Sequence, residues 1–383
     1  ATLAELEDRA GSPATLAFGS LPKGWRAASS AEVLPGRTLT VENVRESVSV
    51  GATDLRIITQ GPLRIAVIGR WSLDLDAFTA MLGRVMQAER DYWGDAPQPF
   101  LVTLTPLKPL ENSMSFGGTG MHQAFSIYAG TDTPLTELRW LVAHEHMHNW
   151  NPAKLGGLDD GEQEPAGYWF SEGFTDFLTD RTLLRSGVWS LEDFVTAVNR
   201  SLREYGLSPA RTEPNRRIVA DFWKSRDVQR LPYTRGLLLA FLWDHELSAA
   251  TGKDLDDVLK AQRAMATAAP RTSAAALFPR AYREAGGKDL TADLERYVTR
   301  GEAVLLPADL FGRCASVETL REPSFDRGFD VDATVKNDRV VTGVDPSGPS
   351  YAAGLRDGMK LKSKLEGEYG NSGKDYAYEV DDH

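Results

Sequence analysis

The sequence predicts an α+β protein, on three observations. Up to about residue 68, turn signals such as "GSP", "LPKGW" and "LPGR" separate short strand-like runs. From there to about residue 300, strand patterns give way to long stretches of helical period. From about residue 319 the text returns to strand-like runs with a turn and a short helix. The expected units are a β-rich N-terminal domain over 1–68, a main α+β domain over 69–318 and a C-terminal segment over 319–383. At 383 residues and 42% hydrophobic content the chain is long enough for two or three such units around a substantial core, and nothing in it suggests disorder.

The elements follow in order. "RTLTVENVRESVSV" and "DLRIIT" supply the early strands. "PLRIAVIGRW" reads as a strand, "LDAFTAMLGRVMQAERDYW" as a helix, "PFLVTLTPL" as another strand, and then comes glycine-rich "SMSFGGTGMHQAFSIYAG". The next helix carries "LVAHEHMHNW": Thr133 is placed to cap it, Pro134 suits its first position, Glu137 lies near the positive end of its dipole, and Asn149 to Pro152 end it. An acidic loop with Asp159, Asp160, Glu162 and Glu164 follows. "YWFSEGFTDFLTDRTLLRSG" reads as a second helix, and helical text continues to about residue 300. The longest apolar run within it, "GLLLAFLW" over 236–243, is far below the roughly 20 residues of a membrane span and reads as a buried helix. The opening "ATLAELEDRAG" lacks a basic stretch followed by an apolar one, so no signal peptide is expected in it; bacterial periplasm and cytoplasm both stay open.

Charge and cysteine usage narrow the chemistry. A net charge of −11 without a polybasic stretch argues against nucleic acid or an anionic membrane as partner, and suits a neutral or cationic substrate. The single cysteine, Cys314, excludes a disulfide within the chain and a multi-thiolate metal site. Any metal must be held by nitrogen and oxygen.

"LVAHEHMHNW" provides both. Three of the six histidines fall within five residues. At about 100° per residue on a helix, His144 and His148 lie about 40° apart while His146 points the other way. With Glu145 between them the outer pair reads H-E-x-x-H, two histidines able to share one ion and a carboxylate beside them to act as a base. Catalytic zinc takes three protein ligands and keeps one position open. The second helix offers the third ligand in "WFSEGFTDF": Glu172, 24 residues after His148, with Asp176 one turn further on, placed to accept a ring N–H from a liganding histidine. Two histidines can sit on an exposed helix by accident, but the downstream Glu and Asp at helical spacing favour one Zn2+ per chain. His146 and His245 read as core or supporting histidines, and His383 as a solvated end or tag remnant.

Together, His144-Glu145-x-x-His148 and Glu172 in "SEGF" resemble the gluzincin metallopeptidases, and the flanking text from "LPKGW" to the tail resembles their glycyl aminopeptidase family. The resemblance implies an N-terminal β domain, a thermolysin-like catalytic domain and a C-terminal PDZ domain. In the tail it rests on "RGFDVD", similar to a carboxylate-binding turn, and on "DPSGPSYAAGLRDGMKL"; the segment is short for a PDZ domain, as a truncated one would be. In "LPYTRG", Tyr233 lies 61 residues after Glu172, where related alanyl-type aminopeptidases have a Tyr-x-Lys-Gly segment whose phenol binds the oxyanion; here Arg235 replaces the lysine. The family commonly has Gly-Gly-Leu-Glu-His on the strand edging the cleft. This chain has Gly117-Gly118-Thr119-Gly120-Met121-His122, a strand whose Gly117, Gly118 and Gly120 let a substrate backbone approach but which lacks the amine-reading carboxylate. The implied activity is hydrolysis of peptide bonds in a peptide or protein substrate, with Glu145 and Tyr233 catalytic and a loosened demand for a free N-terminus. The rival readings are an ester or epoxide hydrolase on the same scaffold, and a peptide-binding PDZ module with a structural zinc. The presence of Glu145 speaks against the second, since a structural site needs no base.

Overall fold

The structure is a computed structural model that describes residues 11–32, 38–108, 116–121, 123–159, 161–269, 272–321, 325–367 and 372–381. At the N-terminal end, β1 (Pro13–Ala14) pairs with β3 (Leu39–Thr40), and β2 (Arg26–Ser29) with β4 (Ser49–Ala52), both antiparallel, with the short helix α1 (Val41–Arg45) between β3 and β4. A five-stranded sheet follows. It is built from β5 (Arg56–Gln60), β6 (Leu63–Val67), β7 (Phe100–Leu107), β8 (Phe116–Met121) and β9 (Ala124–Gly130), in the order β5-β6-β7-β9-β8. The two parallel pairings, β6 with β7 and β7 with β9, need crossover connections, and helix α2 (Leu75–Trp93) provides the first. α2 has the limits that its period predicted. Asp74 caps it by accepting from the Asp76 and Ala77 amides, and Gly94 closes it at φ 70°.

Alternation along the strands sorts the sheet into two faces. Leu63, Ile65, Val67, Phe100, Val102, Leu104, Phe125, Ile127 and Ala129 form the face against α2 and the next helix, α3 (Leu135–Met147). On the other face Ala66, Leu101 and Ala124 pack against Ala28, Val48 and Leu55 of the N-terminal segment. From that face Arg64 donates to the Ser29 carbonyl (2.8 Å) and pairs with Glu32. The expected domain boundary at residue 68 thus falls inside one sheet: β5 and β6 precede it but pair into the sheet of the main domain.

Two helices start differently from expectation. The Thr133 amide closes a turn onto the Gly130 carbonyl (3.0 Å), and Pro134, extended at ψ 148°, is itself the residue before α3, without a side-chain cap. The second helix is two: α4 (Tyr168–Ser171), entered from a 3-10 turn over Gly161–Gly167, and α5 (Gly173–Arg185), with Glu172 at the break. The helical half continues with α6 (Leu191–Leu207), α7 (Asn215–Asp221), α8 (Arg226–Thr251), α9 (Leu255–Ala268) and α10 (Ala274–Glu284). Its core joins Trp169, Phe170, Phe174 and Phe177 to Trp243 and Phe278, and "GLLLAFLW" is the buried stretch of α8. α5 and α8 cross where Gly173 meets Gly236; a methyl group on Gly236 would run into the Trp169 carbonyl. Both helices need glycine there because backbone packs on backbone.

The tail follows α11 (Thr291–Asp293), which runs into a π-helical turn over Leu294–Thr299. It contains α12 (Val331–Lys336), α13 (Pro349–Ala352) and the antiparallel pair β10 (Lys360–Glu366) and β11 (Ala377–Asp381), with Val340 bridged to Lys360. Among the described residues, no helix is long and apolar enough to cross a membrane.

Candidate metal centre

α3 and the break between α4 and α5 place three donors together. His144 is buried on α3, His148 ends that helix, and Glu172 sits at the break. His144 Nε2 lies 3.1 Å from His148 Nε2 and 3.3 Å from Glu172 Oε2; His148 Nε2 lies 3.5 Å from the same oxygen. These separations match the edges of a tetrahedron with arms of about 2.0–2.1 Å, whose edge is about 3.3 Å. The opposite ring nitrogens face acceptors: His148 Nδ1 the Asn151 carbonyl at 2.9 Å, His144 Nδ1 the Asp176 carboxylate at 2.8 Å. An N–H belongs on each Nδ1, so both Nε2 lone pairs point into one space beside a carboxylate. Three electron-rich atoms at that spacing suit a cation, and the two-histidine, one-carboxylate set is that of a catalytic zinc site.

Electrostatics agree. Burial disfavours a charged His144, yet its contacts with Asp176 and Glu172 outweigh it and push the imidazole up to about 10. Burial likewise opposes ionisation of Glu172, and His148 and His144 overcome it, holding the carboxyl well below its ordinary range. These carboxylates favour positive charge at the centre, supplied either by a proton on the imidazoles or by a cation that takes the proton's place on the Nε2 lone pairs.

Glu145 leaves the helix toward β8. A Cβ at Gly118 would lie 2.9 Å from Glu145 Cγ, and one at Gly120 would lie 3.6 Å from Oε2. The glycines of β8 therefore make room for the Glu145 side chain. Gly117, one residue out of phase, faces open space on the other side. Tyr233 arrives on α8, its ring centroid 6.1 Å from that of His144 and the Arg230 guanidinium 4.9 Å over its face. Burial raises its pKa far above the ordinary phenol value, and the Glu172 and Asp176 carboxylates raise it further. Arg235 turns away: it is fully buried and donates to the Arg211 (3.2 Å) and Glu213 (2.5 Å) carbonyls.

The other histidines are elsewhere. His146 is buried between Phe100 and Trp150, with Nδ1 2.5 Å from Glu89 Oε2; burial lowers its pKa to about 3. His245 is half-buried, 3.7 Å from Asp309. His122, Asp160 and His383 lie outside the described residues. Of the acidic loop, Glu164 accepts from the Tyr168 hydroxyl at 2.6 Å, and Tyr168 is one helical turn before Glu172. Sequence reasoning missed three residues. Trp140 stacks on His144 (centroids 4.8 Å apart), Asp180 is buried one turn beyond Asp176 with its pKa raised by burial and then by Asp176, and Asn151 bridges to the Glu172 segment. Only Trp140 carried a signal, as the aromatic one helical turn before His144.

Residues 137–227, which hold all three donors with Glu145 and Asp176, match the M61 glycyl aminopeptidase family. Among solved structures, an aminopeptidase N family protein from Idiomarina loihiensis superposes with a TM-score of 0.64 at 17% identity, over 89% of this chain and 66% of that one. The M1 zinc metallopeptidase from Deinococcus radiodurans gives a TM-score of 0.48 at 17% identity, over 75% and 63%. The chain thus spans about two thirds of the length of the structures it resembles. No curated protein matches it. The resemblance to the glycyl aminopeptidase family read from the sequence is thus matched over the segment that builds the centre, and the chain shares the fold of the first structure.

Proposed function

We propose, taking the match of residues 137–227 to the glycyl aminopeptidase family as premise, that the protein is a zinc-dependent peptidase with one ion held by His144, His148 and Glu172. The observation that carries the reading is the convergence of two imidazole nitrogens and a carboxylate oxygen within 3.5 Å of one another, with Glu145 next to His144 in the chain and its side chain against Gly118 and Gly120 of β8. Held by His144, His148 and Glu172, a zinc ion would supply the positive charge that polarises the attacking water and the scissile carbonyl. Glu145 takes the proton of that water and later delivers it to the leaving nitrogen. Tyr233, whose surroundings keep it protonated, donates to the oxygen on which negative charge develops. Asp176 fixes the His144 ring through Nδ1. Among the described residues β8 is an edge strand that pairs with β9 alone, which supports reading its outer backbone as the place for an extended substrate.

We propose a relaxed aminopeptidase character. β8 carries glycine at 120 where relatives of this type carry the amine-reading carboxylate, and the substitute we propose is Glu164, which is bonded to Tyr168 one turn before Glu172. We also read residues 319–383 as a PDZ-like segment of peptide-binding type, a reading that the β10–β11 pair supports.

The test has two parts. His148→Ala and Glu172→Ala are expected to lose zinc by metal analysis, while Glu145→Gln keeps zinc and fold but loses nearly all peptide hydrolysis; full zinc in the first two refutes the assignment. With matched free and acetylated peptides, kcat/KM is expected to favour the free form by less than about 10³-fold, roughly 4 kcal/mol. Glu164→Gln should lower only the free-peptide value.

A further inference from the structure

Asn151 stands three residues after His148 and is completely buried. Its main-chain carbonyl receives His148 Nδ1 at 2.9 Å. Its side-chain amide reaches the other way, with Nδ2 3.2 Å from the Phe170 carbonyl, 3.3 Å from the Ser171 carbonyl and 3.0 Å from Thr175 Oγ1. Phe170 and Ser171 are the two residues immediately before Glu172, where α4 stops and α5 begins. Thr175 closes the group by donating to the Ser171 carbonyl at 2.6 Å.

We propose that Asn151 is a positioning residue that ties two of the three metal-holding side chains to each other: its carbonyl sets the ring of His148, and its amide sets the helix break from which Glu172 projects. The inference rests on the zinc reading above. The chemistry demands asparagine at this place. A break in a helix releases carbonyls that need donors, and a buried segment finds none in water. The amide supplies two N–H groups to acceptors on the break, while its own oxygen has no partner among the described residues, so the position uses the donor end. Aspartate has the same shape and no donors; it would set a carboxylate against carbonyl oxygens. Through this link a movement of the Glu172 segment is a movement of the His148 ring, and the Nε2-to-oxygen spacing of 3.5 Å is held from both sides.

The test uses the full chain loaded with zinc, and separately with cobalt(II), whose visible bands report ligand geometry. Asn151→Ala and Asn151→Asp are expected to release zinc to a competing chelator 10- to 100-fold faster than the starting protein, and to change the cobalt bands. Glu145→Gln, which removes no ligand support, should release zinc at the original rate. Thr175→Val takes away one acceptor of the amide while keeping side-chain volume, and is expected to give a smaller acceleration in the same direction; it decides the matter if the Asn151 variants do not fold. Unchanged zinc release and unchanged cobalt bands in folded Asn151 variants, or in Thr175→Val when those do not fold, overturn the brace alone. A starting protein that takes up neither metal overturns the zinc reading and the brace with it.

Discussion

Tyr233 keeps its proton because burial and two nearby carboxylates all oppose ionisation, so the part we propose for it in the reaction is that of a donor. Tyr233→Phe is therefore expected to lower kcat by about 10²- to 10³-fold with little change in KM, a loss confined to the transition state. Steady-state kinetics on one good peptide checks it, and an unchanged kcat would return the ring to a packing role against His144. At this scale the sequence was most legible where the answer depends on helical angle alone. His144 and His148 were separable from His146 because 3.6 residues per turn sends the middle histidine to the far side, where it meets Glu89. Arg235 stands where the related segment has its lysine, but two steps along a helix from Tyr233 is about 200°, and the guanidinium faces the Arg211 and Glu213 carbonyls. Asn151 and the fit of Glu145 over Gly118 were not legible, since each is a meeting of segments that no local pattern encodes.

Elements hold the centre in place through a second junction, behind it. Asp95, just past the end of α2, accepts from Trp150 (2.8 Å) and Lys154 (2.7 Å) in the turn after α3, and from Arg263 of α9 (2.6 Å). Burial pushes this carboxyl up, but the three donors outweigh burial and bring it down to about 2. A folded-state value below the unfolded one means stability that is present above the unfolded pKa, near 3.9, and lost as pH falls through about 2. The depression corresponds to about 2 kcal/mol. Asp95→Asn is expected to lower the unfolding free energy by about 1–2 kcal/mol at neutral pH, with the gap closing between about pH 4 and pH 2. Denaturant melts across that range measure it; a gap constant with pH would rule out the ion pairs as its source. The helices themselves were read well where caps and period agree, as in α2. The start of α3 was misplaced because Thr133 is used by the turn after β9, and the break at Glu172 was unseen because α4 and α5 each have good helical text.

For the molecule as a whole, the α+β class was legible, since strand and helix periods are long enough to read in the text. The boundary at residue 68 was not, because β6 looks like an ordinary strand until its neighbour β7 is known. One consequence of the layout concerns the segment 149–171, which leaves the centre at His148 and returns to it at Glu172. The proposed ion, gripping both ends, would act as a clasp that turns this stretch into a closed ring of the chain. Closing a ring of that size without a clasp costs on the order of 3 kcal/mol in chain entropy. Stripping the metal should thus loosen one stretch of the polypeptide well before the rest. A chelator is expected to make the protein sensitive to cutting between residues 149 and 171 at temperatures where the remainder resists, and re-added zinc to restore protection. First cuts elsewhere, or a cutting pattern indifferent to the chelator, would mean that the surrounding helices close the ring without help.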